Sequence, residues 1–155
     1  MTVFSASKRS TAVVPHPRDA VWGVLSDAGL VAKLTPMVRS IVDHGSTWLW
    51  KLAPIEVLGK SIGLSFTEHM EFTPQERIVY SHAQKDGERA GVEGTYQLAD
   101  SGAGTRLTID LGVDVDLPFP KLAKPAVQAS MHAVIAAMGV GFARNLEREL
   151  ARGGH

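Results

Sequence analysis

The sequence predicts an α+β protein in which a seven-stranded antiparallel sheet packs against one long C-terminal helix. Between Met37 and Leu117, apolar residues recur with a period of two, and segments of turn composition divide this stretch into six strands. A further strand is predicted ahead of it, which brings the number to seven. After "PFP", apolar residues recur at steps of three or four, a spacing typical of an amphipathic helix.

Composition limits the classes of function that this chain can serve. The 155 residues, 45% of them hydrophobic and 21% charged, suit one domain spanning residues 1–155. Without any cysteine, the chain has no disulfide, no thiolate nucleophile and no thiolate metal site. Its sixteen basic and sixteen acidic residues balance, so no overall field attracts nucleic acid.

The N-terminus "MTVFSASKRS" lacks the apolar stretch of a secretory signal. No apolar run approaches the length that is needed to span a bilayer. We therefore expect a soluble, cytoplasmic protein.

Two short helices are predicted after the first strand, which covers residues 2–14. In "PHPRDAVWGVLSD", Pro17 is suited to a first helical turn, and Val21, Trp22 and Leu25 follow at helical spacing. The next segment, "AGLVAKLTP", has apolar residues on one face and ends before Pro36, which disfavours helical geometry at the preceding residue.

The six strands of the central stretch are separated by predicted turns at "DHGS", "VLGK", "TPQE", "KDGE" and "SGAG". The clearest strand is "RLTIDLGVDVDL", in which apolar and polar residues alternate from Leu107 to Val115. One face of this strand is therefore predicted to be buried and the other to face water.

The C-terminal helix carries an apolar stripe that should lie across the sheet. Pro125 is expected to restrict its first turns, and Gly139 and Gly141 are expected to weaken its middle. The stripe consists of Val127, Met131, Val134, Met138, Phe142 and Leu146.

This order of elements resembles the START-like superfamily, also called SRPBCC. The segments that carry the resemblance are "PRDAVWGVLSD", "FTPQERIVY", "SGAGTRLTIDLGVDV" and the C-terminal helix. Within the superfamily, the chain is similar to the polyketide cyclase/dehydrase and lipid-transport group and to a family of carbon monoxide dehydrogenase accessory proteins. The resemblance implies a helix-grip fold, in which a curved sheet wraps the long helix and leaves a cavity for an apolar molecule such as a lipid, polyketide, sterol or quinone. It requires no metal and no tightly bound cofactor.

Large, adaptable side chains at inward positions are the predicted lining of this cavity. A core filled by these same side chains is the alternative, because small domains normally pack to crystal-like density. The predicted ligand-binding residues are Trp48, Trp50, Phe66, Met70, Tyr80, Tyr96, Met131, Val134, Met138 and Phe142.

Glu68 and His82 are the predicted catalytic pair. If the central hairpin pairs Phe72 with Ile78, the same register places Glu68 opposite His82, within reach of a hydrogen bond. A buried pair of this kind suits proton transfer beside a carbonyl group. The alternatives are that the two groups satisfy each other inside the cavity, or that they bind a polar ligand head group at its rim.

Three functions remain open from the sequence. The first is binding or transport of a small hydrophobic ligand, which is the expected partner. The second is a cyclase or dehydratase that uses Glu68 and His82 as acid and base. The third is an accessory protein that docks on an enzyme or a membrane, and a homodimer is compatible with each of the three.

Overall fold

The computed structural model describes residues 2–83 and 87–153. A 3-10 turn at Lys121–Ala123 precedes the last helix. The strands and α-helices, in chain order, are β1 Thr2–Val14, α1 Arg18–Leu25, α2 Ala28–Leu34, β2 Val38–Asp43, β3 Thr47–Leu52, β4 Ile55–Val57, β5 Lys60–Ile62, β6 Ser65–Thr73, β7 Arg77–His82, β8 Ala90–Ser101, β9 Gly104–Leu117 and α3 Lys124–Gly153.

Seven of the strands form one antiparallel sheet with the order β1-β9-β8-β7-β6-β3-β2. From β6 to β9, neighbours in the chain are also neighbours in the sheet. The first strand returns to pair with the last one, in a register that runs from Thr2 opposite Leu117 to Val14 opposite Thr105. The predicted seven-stranded antiparallel sheet is therefore confirmed.

The segment around "VLGK" differs from the prediction. Its flanking residues leave the main sheet and form a separate two-stranded sheet, β4 and β5. Pro54 follows β3 and has no N–H with which to continue the ladder. Leu58 and Gly59 then turn the chain with φ angles of 48° and 80°, a left-handed conformation that glycine adopts without strain. Eight strands, rather than six, thus lie between Met37 and Leu117.

The two short helices are confirmed. Helix α1 begins after Pro17, whose extended backbone occupies the N-cap position. The Asp27 side chain caps α2 by accepting a hydrogen bond of 3.1 Å from the N–H of Leu30. This second helix ends at Leu34, ahead of Pro36, as the sequence predicted.

The register of the central hairpin is also confirmed. Phe72 lies opposite Ile78, Met70 opposite Tyr80, and Glu68 opposite His82. The turn predicted at "KDGE" includes residues 85 and 86, which lie outside the described residues.

Helix α3 runs without interruption through the two glycines that were expected to weaken it. Gly141 has a packing role, because a Cβ at this position would collide with the ring of Pro36. The absence of a side chain therefore lets the end of α2 approach the helix closely. A Cβ at Gly139, in contrast, would meet no other atom within 4 Å.

One helical stretch, Lys121–Arg152, is long and apolar enough by length and composition to cross a membrane. Core helices of soluble proteins meet the same criterion. Here the stretch contains the helix that packs over the sheet, through buried side chains that include Val127, Phe142 and Leu146.

Candidate functional site

A cavity of about 410 Å³ lies between the inner face of the main sheet and helix α3. Protein interiors normally pack as densely as organic crystals and leave few voids larger than a water molecule. A space of this size is instead within the range of small-molecule pockets, roughly 300–1,000 Å³. The alternative of a filled core is therefore wrong for the middle of this domain.

Strand β9 shows how the cavity arises. Its inward-facing residues at the two ends, Leu107 and Val115, are buried. The three inward-facing residues between them, Ile109, Leu111 and Val113, line the cavity and are only half-buried. Helix α3 repeats this pattern, since Met131 and Phe142 are buried while Val134 and Met138 between them are half-buried. Sheet and helix thus touch at both ends and separate in the middle.

The cavity opens to solvent along the middle of β1. Phe4 and Val14 are buried at the two ends of this strand. Lys8, Ser10 and Ala12 share their inward direction and line the cavity, yet all three are exposed. A ligand could therefore enter between β1 and α3 without disrupting the sheet.

The β4–β5 hairpin contributes a further part of the wall. Its side chains Ile55, Val57 and Ile62 are buried and line the cavity. The Lys60 ammonium nitrogen lies 5.8 Å from the centre of the Phe119 ring, which attaches the hairpin to the segment before α3. Contacts of this type stabilise exposed sites by about 0.5–1 kcal/mol.

Glu68 is an acidic group set into this apolar wall. Only 3% of the residue is exposed. Burial raises the pKa of its carboxyl group from 4.5 to about 8, because the charged form loses its hydration. The nearby Trp50 indole N–H lowers this pKa in part, but Trp50 Nε1 is buried without a partner in hydrogen-bonding geometry. The offset is therefore small, and Glu68 is predominantly protonated at neutral pH.

Two tyrosines lie beside each other on the cavity wall, with ring centres 5.3 Å apart. The Tyr80 hydroxyl donates a hydrogen bond of 2.6 Å to the main-chain carbonyl oxygen of Asp110. The Tyr96 hydroxyl has no hydrogen-bond partner among the described residues. Burial raises the pKa of both phenols, and the charge of Glu68 raises it further, so both stay neutral across the physiological range.

Gly94 permits the bond between Tyr80 and Asp110. This glycine lies on β8, between the strands that carry the two partners. A Cβ at this position would collide with the Asp110 carbonyl group and lie 2.7 Å from the Tyr80 hydroxyl oxygen. Only a residue without a side chain lets the phenol cross the strand here.

The charged side chains of the cavity wall are Lys8, Glu68 and Glu147. Among residues 2–83 and 87–153, no group of three histidine, aspartate or glutamate side chains is placed to hold a metal ion. The arrangement can surround an apolar molecule and offer it a few uncharged hydrogen-bonding groups.

A family model described as polyketide cyclase / dehydrase and lipid transport matches residues 5–150. The chain belongs to this family. The match runs from the first strand to the end of the long helix and so includes every wall of the cavity. No curated protein sequence matches the chain at a significant level.

Solved structures with the same fold include an aromatase/cyclase and a START superfamily protein. The ZhuI aromatase/cyclase of a Streptomyces species is 17% identical, with a TM-score of 0.69 over 97% of this chain and 96% of its own. The START superfamily protein of Mycobacterium smegmatis is 18% identical, with a TM-score of 0.69 over 94% and 97%.

A longer protein also matches. The di-domain aromatase/cyclase StfQ of the steffimycin biosynthetic pathway is 16% identical, with a TM-score of 0.70 over 98% of this chain. The chain spans 53% of the length of StfQ, about half. At these identities the similarity shows the fold alone. The START-like, helix-grip fold that the sequence resemblance implied is thereby confirmed.

Most of the side chains predicted to line the cavity of this family member do line it. They come from β3, β6, β7, β8 and α3, which meet around the open space. These residues are Trp50, Phe66, Tyr80, Tyr96, Met131, Val134, Met138 and Phe142, together with Glu68.

Trp48 and Met70 share the predicted inward direction but are not part of the cavity wall. Trp48 is 1% exposed, and its ring centre lies 5.9 Å from that of Phe72, which also packs edge-on against Trp22 of α1. Met70 precedes Phe72 on the same face of β6 and is buried. Aromatic rings from the sheet and α1 fill this part of the interior, so the two residues belong to the packed core.

His82 does not join Glu68, although the two residues are opposite each other in the sheet. The histidine is exposed and is not part of the cavity wall. It is the last residue of β7, and its ring lies over Gly91, where a Cβ would be 2.5 Å from His82 Nδ1. Neither a hydrogen bond nor an ion pair links these two described side chains. The expectation that they form a buried pair is therefore wrong.

Sequence reasoning missed the contributions of β1 and of the β4–β5 hairpin to the wall. The hairpin carried a usable signal, since Ile55 and Val57 alternate with Glu56 just before Leu58 and Gly59. On β1, Lys8, Ser10 and Ala12 gave no signal, because small and charged residues at inward positions do not match the apolar pattern of a buried strand.

Proposed function

We propose that this protein binds a small hydrophobic molecule in the cavity between the sheet and α3, and carries it in the cytoplasm. The observation that supports this proposal is the cavity itself, whose wall is formed largely by aliphatic and aromatic side chains. Burial of apolar ligand surface contributes about 25 cal/mol per Å², so affinity would come from the whole wall rather than from one contact. The family description, which includes lipid transport, agrees with this proposal.

The walls suit ligands of different shape. Met131 and Met138 face the cavity from α3, and methionine side chains adapt to irregular surfaces. The stacked rings of Trp50 and Phe66, with centres 5.5 Å apart, offer a flat surface from the sheet. A ligand held between them would leave through the opening along β1.

Mass spectrometry tests this proposal. The protein would be purified under mild conditions from the organism that encodes it, and its native mass would be compared with the mass after denaturation. We expect a stoichiometric apolar molecule, which organic extraction would then release and identify. Protein that carries nothing, and that also fails to bind naphthalene in calorimetry, would contradict the proposal.

A second candidate function is a cyclase or dehydratase in which Glu68 acts as the general acid. The observation that favours it is a carboxyl group buried in the cavity with its pKa raised to about 8, because acids are efficient proton donors when their pKa lies near the working pH. Glu68 would donate its proton to a departing or developing oxygen of the substrate. No role remains for His82 in this step.

The variant Glu68→Gln separates the two functions. It keeps the size of the side chain and removes the acidic proton. A carrier would keep its bound ligand in this variant, whereas an enzyme would bind substrate and lose turnover by about 10²-fold or more. Glu71→Gln, on the exposed face of the same strand, is the matched control.

A further inference from the structure

Three hydrogen-bonding groups on the cavity wall have no protein partner. The Glu68 carboxyl and the Tyr96 hydroxyl make no hydrogen bond of proper geometry to any described residue. The Trp50 indole nitrogen is buried and likewise unpaired. All three residues line the cavity, and we call them the polar cluster.

The members of the polar cluster lie close together on the sheet. Trp50 is the diagonal neighbour of Glu68, because Trp48 pairs with Glu68 and Trp50 with Phe66 on the adjacent strands. Tyr96 is near enough to Glu68 for the charge of the carboxylate to affect its hydroxyl. The neighbouring Tyr80 does not belong to the cluster, since its hydroxyl is bonded to Asp110.

A buried polar group without a partner costs about 1–3 kcal/mol, and most such groups in folded proteins are satisfied. Three of them on one otherwise apolar wall therefore point to a ligand that completes their hydrogen bonds. Trp50 can only donate a hydrogen bond, and Tyr96 and a protonated Glu68 can each donate and accept one. Together they offer up to three donors.

On the basis of the proposed binding function, we propose that the polar cluster of Trp50, Glu68 and Tyr96 recognises a neutral oxygen, a carbonyl or a phenol, on an otherwise apolar aromatic ligand. A neutral oxygen accepts hydrogen bonds from this cluster without bringing a charge into the apolar wall. A carboxylate would meet Glu68 without a neighbouring cation, because the basic side chain of the wall, Lys8, is exposed on β1 at the opening.

Calorimetry with three probes tests this inference. Naphthalene, a naphthol and a naphthoate share one apolar body and differ in their polar group. At pH 6, we expect the wild-type protein to bind the naphthol about tenfold more tightly than naphthalene, and the naphthoate more weakly than either, which corresponds to one well-made hydrogen bond. Equal affinity for naphthol and naphthalene, or preference for the naphthoate, would overturn the inference.

Variants assign the preference to the cluster. Glu68→Leu should remove most of the naphthol preference and leave the affinity for naphthalene equal or higher, and Tyr96→Phe should reduce the preference several-fold. Glu71→Leu makes the same change on the exposed face of β6 and should keep the preference. If Glu68→Leu does not fold, Glu68→Gln and Tyr96→Phe decide the question, and an unchanged preference in both would refute the assignment.

The probe series also keeps this inference separate from the proposed function. Binding of naphthalene without a preference for naphthol would refute the polar cluster alone. Failure of all three probes to bind would refute both the cluster and the apolar cavity as a binding site.

Discussion

Glu68 and His82 are direct cross-strand partners in β6 and β7, yet the acid is buried and the imidazole is exposed to solvent. The carboxyl group therefore lies among apolar side chains without the cation that its register partner would supply. This separation gives Glu68 its raised pKa and leaves it as the buried acidic group of the cavity.

The pH dependence of stability should carry the signature of Glu68. Its pKa is about 8 in the folded protein and near 4.5 in an unfolded chain, so the folded state binds more protons between these values. Stability from this group is complete below pH 4.5 and is lost as the pH rises toward 8, by at most about 1.4 kcal/mol per pH unit. Urea unfolding of wild type and Glu68→Gln at pH 5, 7 and 9 measures this. The variant should gain stability relative to wild type as the pH rises, and a constant difference would contradict the raised pKa.

The two neighbouring tyrosines should respond differently to loss of the hydroxyl group. Tyr80→Phe leaves the Asp110 carbonyl oxygen without its 2.6 Å hydrogen bond and should lower the free energy of unfolding by about 1 kcal/mol. Tyr96→Phe removes a hydroxyl that has no protein partner and should leave stability unchanged or slightly higher. Denaturant titrations of both variants make the comparison. Equal destabilisation would show that Tyr96 is bonded in the folded protein.

The two glycines in the middle of α3 should also differ. Gly139→Ala places a methyl group in open space and should stabilise the helix by about 1 kcal/mol, because alanine loses less backbone entropy. Gly141→Ala forces the methyl group against the ring of Pro36 and should destabilise the protein by about 1–3 kcal/mol. Thermal unfolding followed by circular dichroism checks both changes, and stabilisation by Gly141→Ala would show that the contact with Pro36 is loose.

Filling the cavity should block ligand binding without unfolding the protein. Val134 faces the open space from α3 and is half-buried, so Val134→Phe can place its ring in the cavity. We expect the affinity for naphthalene to fall by about tenfold or more, with stability maintained. Val13→Phe is the control, since Val13 is 53% exposed and is not part of the cavity wall. Loss of binding in both variants would place the binding site elsewhere.

The order of the elements was readable because each prediction depended on local sequence. Alternation on β9, the composition of the turns and the spacing of the stripe on α3 are properties of consecutive residues. The pairing of Glu68 with His82 followed from the hairpin turn alone, since turn length fixes the register. The departure of β4 and β5 from the main sheet was missed, because alternation does not state which strand is the partner.

By itself, the sequence determined the fold class, the hairpin register and the direction in which most of the cavity residues point. The tertiary structure decided how far α3 stands from the sheet, that aromatic rings fill the space near Trp48, and that Glu68 is enclosed while His82 is exposed. The physical reason is that direction is set by the periodicity of one strand or helix, whereas burial and open volume depend on which distant segments pack against it.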